Sequence, residues 1–487
     1  MAAAANSFCI NRSRFYQVNH HLPLKCRCFK KNCWFLKLPE FKAIQYRHIY
    51  TMKWLYSLRL TPTPFRIKPW LASLLIAVIV GTAAKAQEYY FPAAGSNQWD
   101  TLSPAQLGWC PSRIDSLTDY LQRTNTKAFI VLYQGKIVLE KYFEGHTPDS
   151  LWYWASAGKS LTAFLVGMAQ QQGQVNIQQS VSHYLGNGWT VAPLAKESQI
   201  SLRNLLAMNS GLNDEPPAPC NSLSTPKACL QYLADTGTRW GYHTGAYLQL
   251  HQVLQAVSGQ GISVYTKNTL GDRIGMGGFW VNGVYVSNAR SMARFGLLML
   301  AKGRWGNDVV MTDTSYYRQM ISPSQPLNRS YGYLWWLNGQ PSFMVPGLQV
   351  VFNQPFIRNA PADMYAALGL NDQKIYVAPS RHLVVIRMGN SGYEQSAAIS
   401  RYDDTIWQKI NDLTNIDLPC TYTFNGNGTF SNAHLWQYRV PPPPALPASH
   451  TVRIQGECLL NQPLTLQAGS QLEVSPGSRL TLGQIGP

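Results

Sequence analysis

Ser156-Ala157-Gly158-Lys159-Ser160, where an extended stretch hands over to a helical pattern, sets a hydroxyl and an amine three residues apart. On a helix, residues i and i+3 share a face, so the Lys159 amine can reach the Ser156 oxygen. A neutral amine there can take the serine proton as the oxygen attacks a carbonyl. The helix start adds unpaired N–H groups and a positive dipole end, which favour negative charge growing on a substrate oxygen. The spacing is weakly specific by itself, because serine and lysine are common. Gly158-Lys159-Ser160 also imitates the end of a phosphate-binding loop. That reading fails, because the loop needs a glycine five residues before Gly158, where Tyr153 stands between Trp152 and Trp154.

Outward from this stretch, residues 157–172 present Leu161, Phe164, Leu165 and Met168 on one helical face, which predicts burial. A lysine within such a helix is the exception. Its ordinary pKa is about 10.4, so burial must favour the neutral amine if it is to act as a base. Upstream, residues 111–124 read as a helix with Pro111 in its first turn. Residues 127–133 and 136–143 alternate apolar and polar around Gln134-Gly135, the pattern of an antiparallel hairpin. A second hairpin is predicted over 374–388, turning at Pro379-Ser380, followed by a helix over 394–410. An α/β (α+β) fold accounts for this order: an antiparallel sheet built from both ends of the domain, flanked by helices, with an inserted helical region. The helix carrying Ser156 and Lys159 would lie between the sheet and that insertion.

The net charge of +17 would point to nucleic acid if it were spread through the fold. Residues 1–86 hold 14 of the 41 basic residues and only Glu40 of the 24 acidic ones, so the remainder is 27 against 23. No nucleic-acid partner is expected. Residues 70–80 form a short apolar run after Lys53, Arg59, Arg66 and Lys68, and before Ala84-Lys85-Ala86, the layout of a secretory signal. The run falls short of the ~20 residues that span a bilayer. Met52 is the better start, so residues 1–51 read as a non-native upstream extension and 52–86 as a signal peptide. Cys26, Cys28 and Cys33 are then no zinc site, and no metal or cofactor is expected. The exported chain keeps Cys110, Cys220, Cys229, Cys420 and Cys458; Cys220 and Cys229 flank a short loop and can pair, and the odd count leaves a free buried thiol.

The main α/β domain is expected over 87–420, a Pro-rich linker over 421–449 with Pro441 to Pro444 as a stiff spacer, and a β-repeat tail over 450–487. In the tail, Leu464, Leu472 and Leu480 recur every eight residues, and Gly469-Ser470 and Gly477-Ser478 precede the last two. It is too small to hold a core alone and reads as a β-solenoid rung, a surface-attachment module or a sorting element.

Beyond the serine–lysine pair, several segments resemble the serine β-lactamase and penicillin-binding-protein superfamily. They are Ile200 to Leu206 with Asn209-Ser210-Gly211-Leu212, Gly237 to Tyr242, Ala293 to Leu298, and Tyr331 to Trp336. The closer likeness is to the class C-like branch of esterases, D-amino peptidases and 6-aminohexanoate-dimer hydrolases. The resemblance implies a β-lactamase-like fold and a Ser156-Lys159-Tyr242 catalytic set. Tyr242 stands in the family's Y-x-N element, here Tyr242-His243-Thr244, where it would relay protons to the leaving group. Thr244 replaces the asparagine and would keep a hydroxyl toward substrate. His243 is read as a surface or pocket-rim residue, and Trp336 as a wall of the acyl pocket. The family's third element, K-T-G or H-T-G, is absent; residues 364–369 take its place. Without that side-chain anchor for a carboxylate, β-lactamase or D-Ala-D-Ala carboxypeptidase activity is the lesser alternative, and a catalytically weak binding module is another. Backbone donors survive such a change, so Ser156 and Ala367 N–H groups are expected to form the oxyanion hole. The resulting expectation is a secreted or periplasmic bacterial serine hydrolase of small esters or amides, with possible cell-surface attachment through the tail.

Overall fold

The computed structural model describes residues 89–393, 401–415 and 418–483. The expected extension over 1–51, the signal peptide over 52–86 and the N-terminal cysteines lie outside the described residues, as do residues 394–400 of the expected last helix.

Helix α1 (Pro111–Arg123) leads into strands β1 (Thr126–Tyr133) and β2 (Lys136–Tyr142). Helix α2 (Gly158–Gln171) follows, and after the inserted region come α3 (Ala289–Leu300), β3 (Trp336–Leu337), β4 (Tyr365–Gly369), β5 (Gln373–Ala378), β6 (Leu383–Gly389) and α4 (Arg401–Thr414). The six strands form one sheet in the order β2-β1-β6-β5-β4-β3. Its strands pair antiparallel, and β1 from one end of the domain pairs with β6 from the other, Ile130 opposite Ile386. Alternation along β5 shows which helix covers which face. A Cβ on Gly296 of α3 would lie within 3.2 Å of Ile375, whereas the adjacent Lys374 and Tyr376 bond to Asp403 of α4. Successive strand residues face opposite sides, so α3 and α4 lie on opposite faces.

The sheet owes its central position to its composition. Phe129, Ile130, Val131 and Leu132 of β1 are all buried, as are Val384, Val385 and Ile386 of β6. Runs apolar on both faces are what a strand between two helical layers requires. Each such side chain contributes roughly 1.5–3 kcal/mol on burial. On α2 the whole circumference from Gly158 to Ala169 is buried, wider than the single face that the periodicity predicts. The helix is thus enclosed on all sides, with Lys159 inside.

The segment 421–449 is not a linker. Thr421–Asn425 pairs in parallel with Thr451–Gln455, which pairs in parallel with Gln471–Val474, and Gly428–Thr429 and Ala445–Leu446 pair in parallel with Cys458–Leu459 and Thr465–Leu466. These are stacked coils of a parallel β-solenoid, and the supposed spacer supplies its first coil. The repeat unit is a coil, as in Thr451 opposite Gln471 and Cys458 opposite Leu480, rather than the eight-residue leucine spacing. In-register stacking buries Phe424, Phe430, Trp436, Leu446, Val452, Ile454 and Cys458 together. So small a core gains support by docking. Cys420 is disulfide-bonded to Cys110 at the start of α1, the Arg113 guanidinium donates to Pro419 O at 2.9 Å, and the Tyr438 hydroxyl donates to Asp115 at 2.6 Å. Cys220 and Cys229 form a second disulfide, and Cys458 is the buried free thiol.

Candidate active site

Ser156 sits in a 3-10 turn, Ala155–Ala157, that runs into α2. The approach is pinned to the strand Val284–Ser287: Trp154 N–H donates to Tyr285 O and its indole N–H to Ser287 Oγ, each at 2.8 Å. Ala155 has φ +48°, a left-handed conformation that costs a residue with a Cβ about 1–3 kcal/mol and that only firm surroundings can impose. This kink delivers Ser156 to the corner between strand and helix.

One turn on, Lys159 Nζ and Ser156 Oγ are 3.0 Å apart and hydrogen-bonded. Lys159 is 4% exposed, and burial pulls its pKa down to about 7. The faces of Tyr247 and Tyr242 lie 4.6 and 5.0 Å from Nζ. Such contacts favour an ammonium by roughly 0.5–2 kcal/mol, less than the cost of enclosing its charge, so desolvation decides the direction. The sequence reading missed Tyr247 and the pair behind it, His251 Nε2 and Thr162 Oγ1, 2.8 Å apart. Burial first, and then the nearby Lys159 cation, push His251 down to about 3, so it stays neutral. Tyr247 and His251 lie five and nine residues after Tyr242, on the short helix Thr244–Tyr247 and on the helix Gln249–Ser258 that follows it.

Tyr242 projects toward the same oxygen. Burial raises its hydroxyl to about 12, opposed by a hydrogen bond with Ser156. Its ring stacks on Trp336, with centroids 6.3 Å apart at 21°, and Trp336 stacks in turn on Phe356 at 5.2 Å. Trp336 is 3% exposed, so it backs the Tyr242 ring more than it offers open surface to a ligand. Thr244 opens the short helix Thr244–Tyr247 beside it. His243 is not at a rim. It is buried, and its Nδ1 accepts the Ala246 N–H at 3.2 Å as the cap of that helix. A helix end with unpaired N–H groups supplies the reason for placing a polar ring there.

Strand β4 occupies the place of the missing third element. Ala367 lies in mid-strand, fully buried and opposite Ile375. The residue that meets the serine turn is Gly369, where a Cβ would come within 2.3 Å of Trp154 O and 3.1 Å of Ala157 N. The strand backbone closes on Ser156 at its end, two residues beyond Ala367. A cleft of about 950 Å³ between Tyr89–Phe91 and Leu300–Arg304 is a separate feature, lined by none of these residues.

The family described as beta-lactamase matches residues 115–405 of the 487. The chain belongs to the beta-lactamase family. As a member it is a serine hydrolase, and its fold matches that of a candidate beta-lactamase from Bacteroides dorei with a TM-score of 0.51 at 15% identity, over 63% of this chain and 99% of that one. A 6-aminohexanoate-dimer hydrolase of Paenarthrobacter ureafaciens is 31% identical over 98 residues, 19% of this beta-lactamase family chain and 25% of that enzyme's length. An uncharacterised protein of Alkalihalophilus pseudofirmus is 21% identical over 331 residues, 57% of this chain and 88% of its own.

Proposed function

We propose that this beta-lactamase family member is an exported hydrolase that cleaves small esters or amides through an acyl-enzyme on Ser156. The observation that carries this reading is the desolvated Lys159 amine 3.0 Å from Ser156 Oγ. Neutral Lys159 accepts the Ser156 proton as Oγ bonds to the substrate carbonyl carbon. Negative charge on the carbonyl oxygen is met by the Ser156 N–H and by backbone N–H at the end of β4, where Gly369 rather than Ala367 adjoins the turn. As the tetrahedral species collapses, Tyr242 passes a proton to the departing alcohol or amine, and Lys159 restores it. Water then repeats the sequence on the acyl-enzyme and releases the acid. The chemistry requires no metal or organic cofactor.

Substrate choice follows from β4. Ala367 and Leu368 stand before Gly369, and the Tyr365 hydroxyl is engaged by Tyr317 and Met299 O, so the end of this strand at the serine turn offers no side-chain cation or hydroxyl to a substrate carboxylate. Charge-assisted hydrogen bonds of that kind contribute roughly 1.5–3 kcal/mol, a factor of about 10–100. Neutral esters and short linear amides are therefore favoured over β-lactams and D-Ala-D-Ala peptides. The partial match to a 6-aminohexanoate-dimer hydrolase supports including linear amides. Export is supported by the signal-like segment and by two disulfides, which persist in oxidising compartments. Attachment to the cell surface through the solenoid completes the proposal. Parallel turnover of p-nitrophenyl esters and nitrocefin tests the substrate reading. Esters should turn over and nitrocefin should lag by roughly 10-fold or more; preferential nitrocefin hydrolysis would contradict it, and no turnover of either would favour a binding module.

A further inference from the structure

The two backbone segments assigned to the oxyanion come from distant parts of the chain, and a side-chain hydrogen bond joins them. Asn371 Nδ2 donates to the Tyr153 hydroxyl oxygen at 2.7 Å. Tyr153 lies three residues before Ser156, just ahead of the kink at Ala155. Asn371 lies two residues after Gly369, and both Asn371 and Asp372 have φ +60°, so two successive residues with side chains hold left-handed conformations there. Such a pair persists only where its surroundings fix it.

The surroundings do so. The Arg387 guanidinium, fully buried, donates to Asn371 O at 2.9 Å and Asp372 O at 3.1 Å, and to Thr124 O and Asn390 O. Gln373 Nε2 donates to Leu370 O at 3.2 Å and Asn371 O at 2.9 Å. Asp372 is held in turn by Lys374 at 3.2 Å and by the Gly392 N–H at 3.0 Å. Buried cations and amides are retained at such cost only when their donors are used. Here they are shared between the carbonyls of one three-residue turn, 370–372, and those of Thr124, Gly389 and Asn390 beside it, which ties the turn to the end of β6.

We propose that Asn371 and Tyr153 form a latch that sets the width of the oxyanion hole, with Arg387 and Gln373 fixing the turn from behind. They are positioning residues: the latch fixes the backbone at Gly369 relative to the Ser156 turn, and neither side chain meets the reacting atoms. The inference rests on the acyl-enzyme reading. Its consequence is specific to the transition state, because an oxyanion donor displaced by a fraction of an ångström loses much of its effect while ground-state binding is little changed.

The test uses the full chain with Tyr153→Phe, Asn371→Gly and the double variant, and Asn371→Ala where the glycine variant does not fold. Glycine keeps φ accessible and removes the amide; phenylalanine keeps the ring and removes the acceptor. Each single variant should lose about 10-fold or more in kcat for a p-nitrophenyl ester and in the rate of fluorophosphonate labelling, with KM within about twofold. The double variant should lose no more than the worse single one, the mark of a shared interaction. Unchanged kcat in both singles, or losses that multiply in the double variant, would overturn the latch while wild-type labelling leaves the hydrolase reading standing. A wild-type chain that does not label at all would overturn both.

Discussion

Lys159 Nζ lies 3.0 Å from Ser156 Oγ inside a niche walled by the rings of Tyr242 and Tyr247. Burial alone brings the amine to about 7. The acylating form has the neutral amine, so kcat/KM for an ester should rise with pH and level off above a midpoint near 7. Stability carries the same signature. The unfolded lysine keeps its proton up to its ordinary value of 10.5, the folded one releases it near 7, and so the unfolded state binds more protons between these limits. Unfolding free energy should climb across that window in wild type, and denaturant titrations of Lys159→Met should lack the climb. A flat wild-type profile would contradict a desolvated amine.

Tyr242 offers Ser156 a hydroxyl that burial holds protonated up to about 12. It is thus a proton donor through the neutral range. Tyr242→Phe keeps the stack on Trp336 and should lower kcat by roughly 100-fold or more. Esters with good leaving groups should suffer least. An equal loss for p-nitrophenyl and ethyl esters, measured side by side, would remove the leaving-group role.

Gly369 has no room for a methyl group, since its Cβ would sit 2.3 Å from Trp154 O. Its φ of −126° is accessible to any residue, so the constraint is contact and not conformation. Gly369→Ala must push β4 from the serine turn. Loss of one oxyanion donor costs roughly 100- to 1,000-fold, and kcat in Gly369→Ala should fall by that order while circular dichroism reports a retained fold. Ala367→Gly, by contrast, should leave kcat within a few-fold.

The solenoid is tied to α1 by Cys110–Cys420, a bond that closes a separation of 310 residues. Removing a native disulfide costs roughly 2–5 kcal/mol. The paired substitution Cys110→Ser with Cys420→Ser should lower the melting temperature, read by calorimetry, and leave kcat/KM unchanged, because the anchoring contacts fall on Arg113 and Asp115 and not on the serine turn. A parallel loss of kcat/KM would show that the module shapes the site.

Much of the fold was legible because the two hairpins and helices α1 and α2 follow from local alternation and periodicity, with limits a residue or two from those expected. A sheet built from both ends of the domain was expected, but the pairing of β1 with β6 was not itself read, because residues 127–133 pass for an alternating run whereas Phe129 to Leu132 are buried on both faces. Ser156 and Lys159 are one helical turn apart, so their contact needed no tertiary information. His243 misled because a cap residue reads as polar in the sequence whether or not its helix end is buried. Ala367 was placed by counting along a strand, whereas the close approach falls at the glycine two residues on. The first solenoid coil went unread because parallel stacking leaves its periodicity between coils, and prolines at 441–444 imitate a spacer. Tyr247, His251, and the Asn371–Tyr153 bond depend on long-range contacts that no local pattern announces.

The most direct measurement is the intact mass of the full chain after reaction with a fluorophosphonate at pH 8 and at pH 6. One adduct should form, mapped to the peptide holding Ser156, faster at pH 8, and absent in Ser156→Ala. An adduct on another residue, or none in the wild-type chain, would contradict the assignment of Ser156 as the acylated nucleophile.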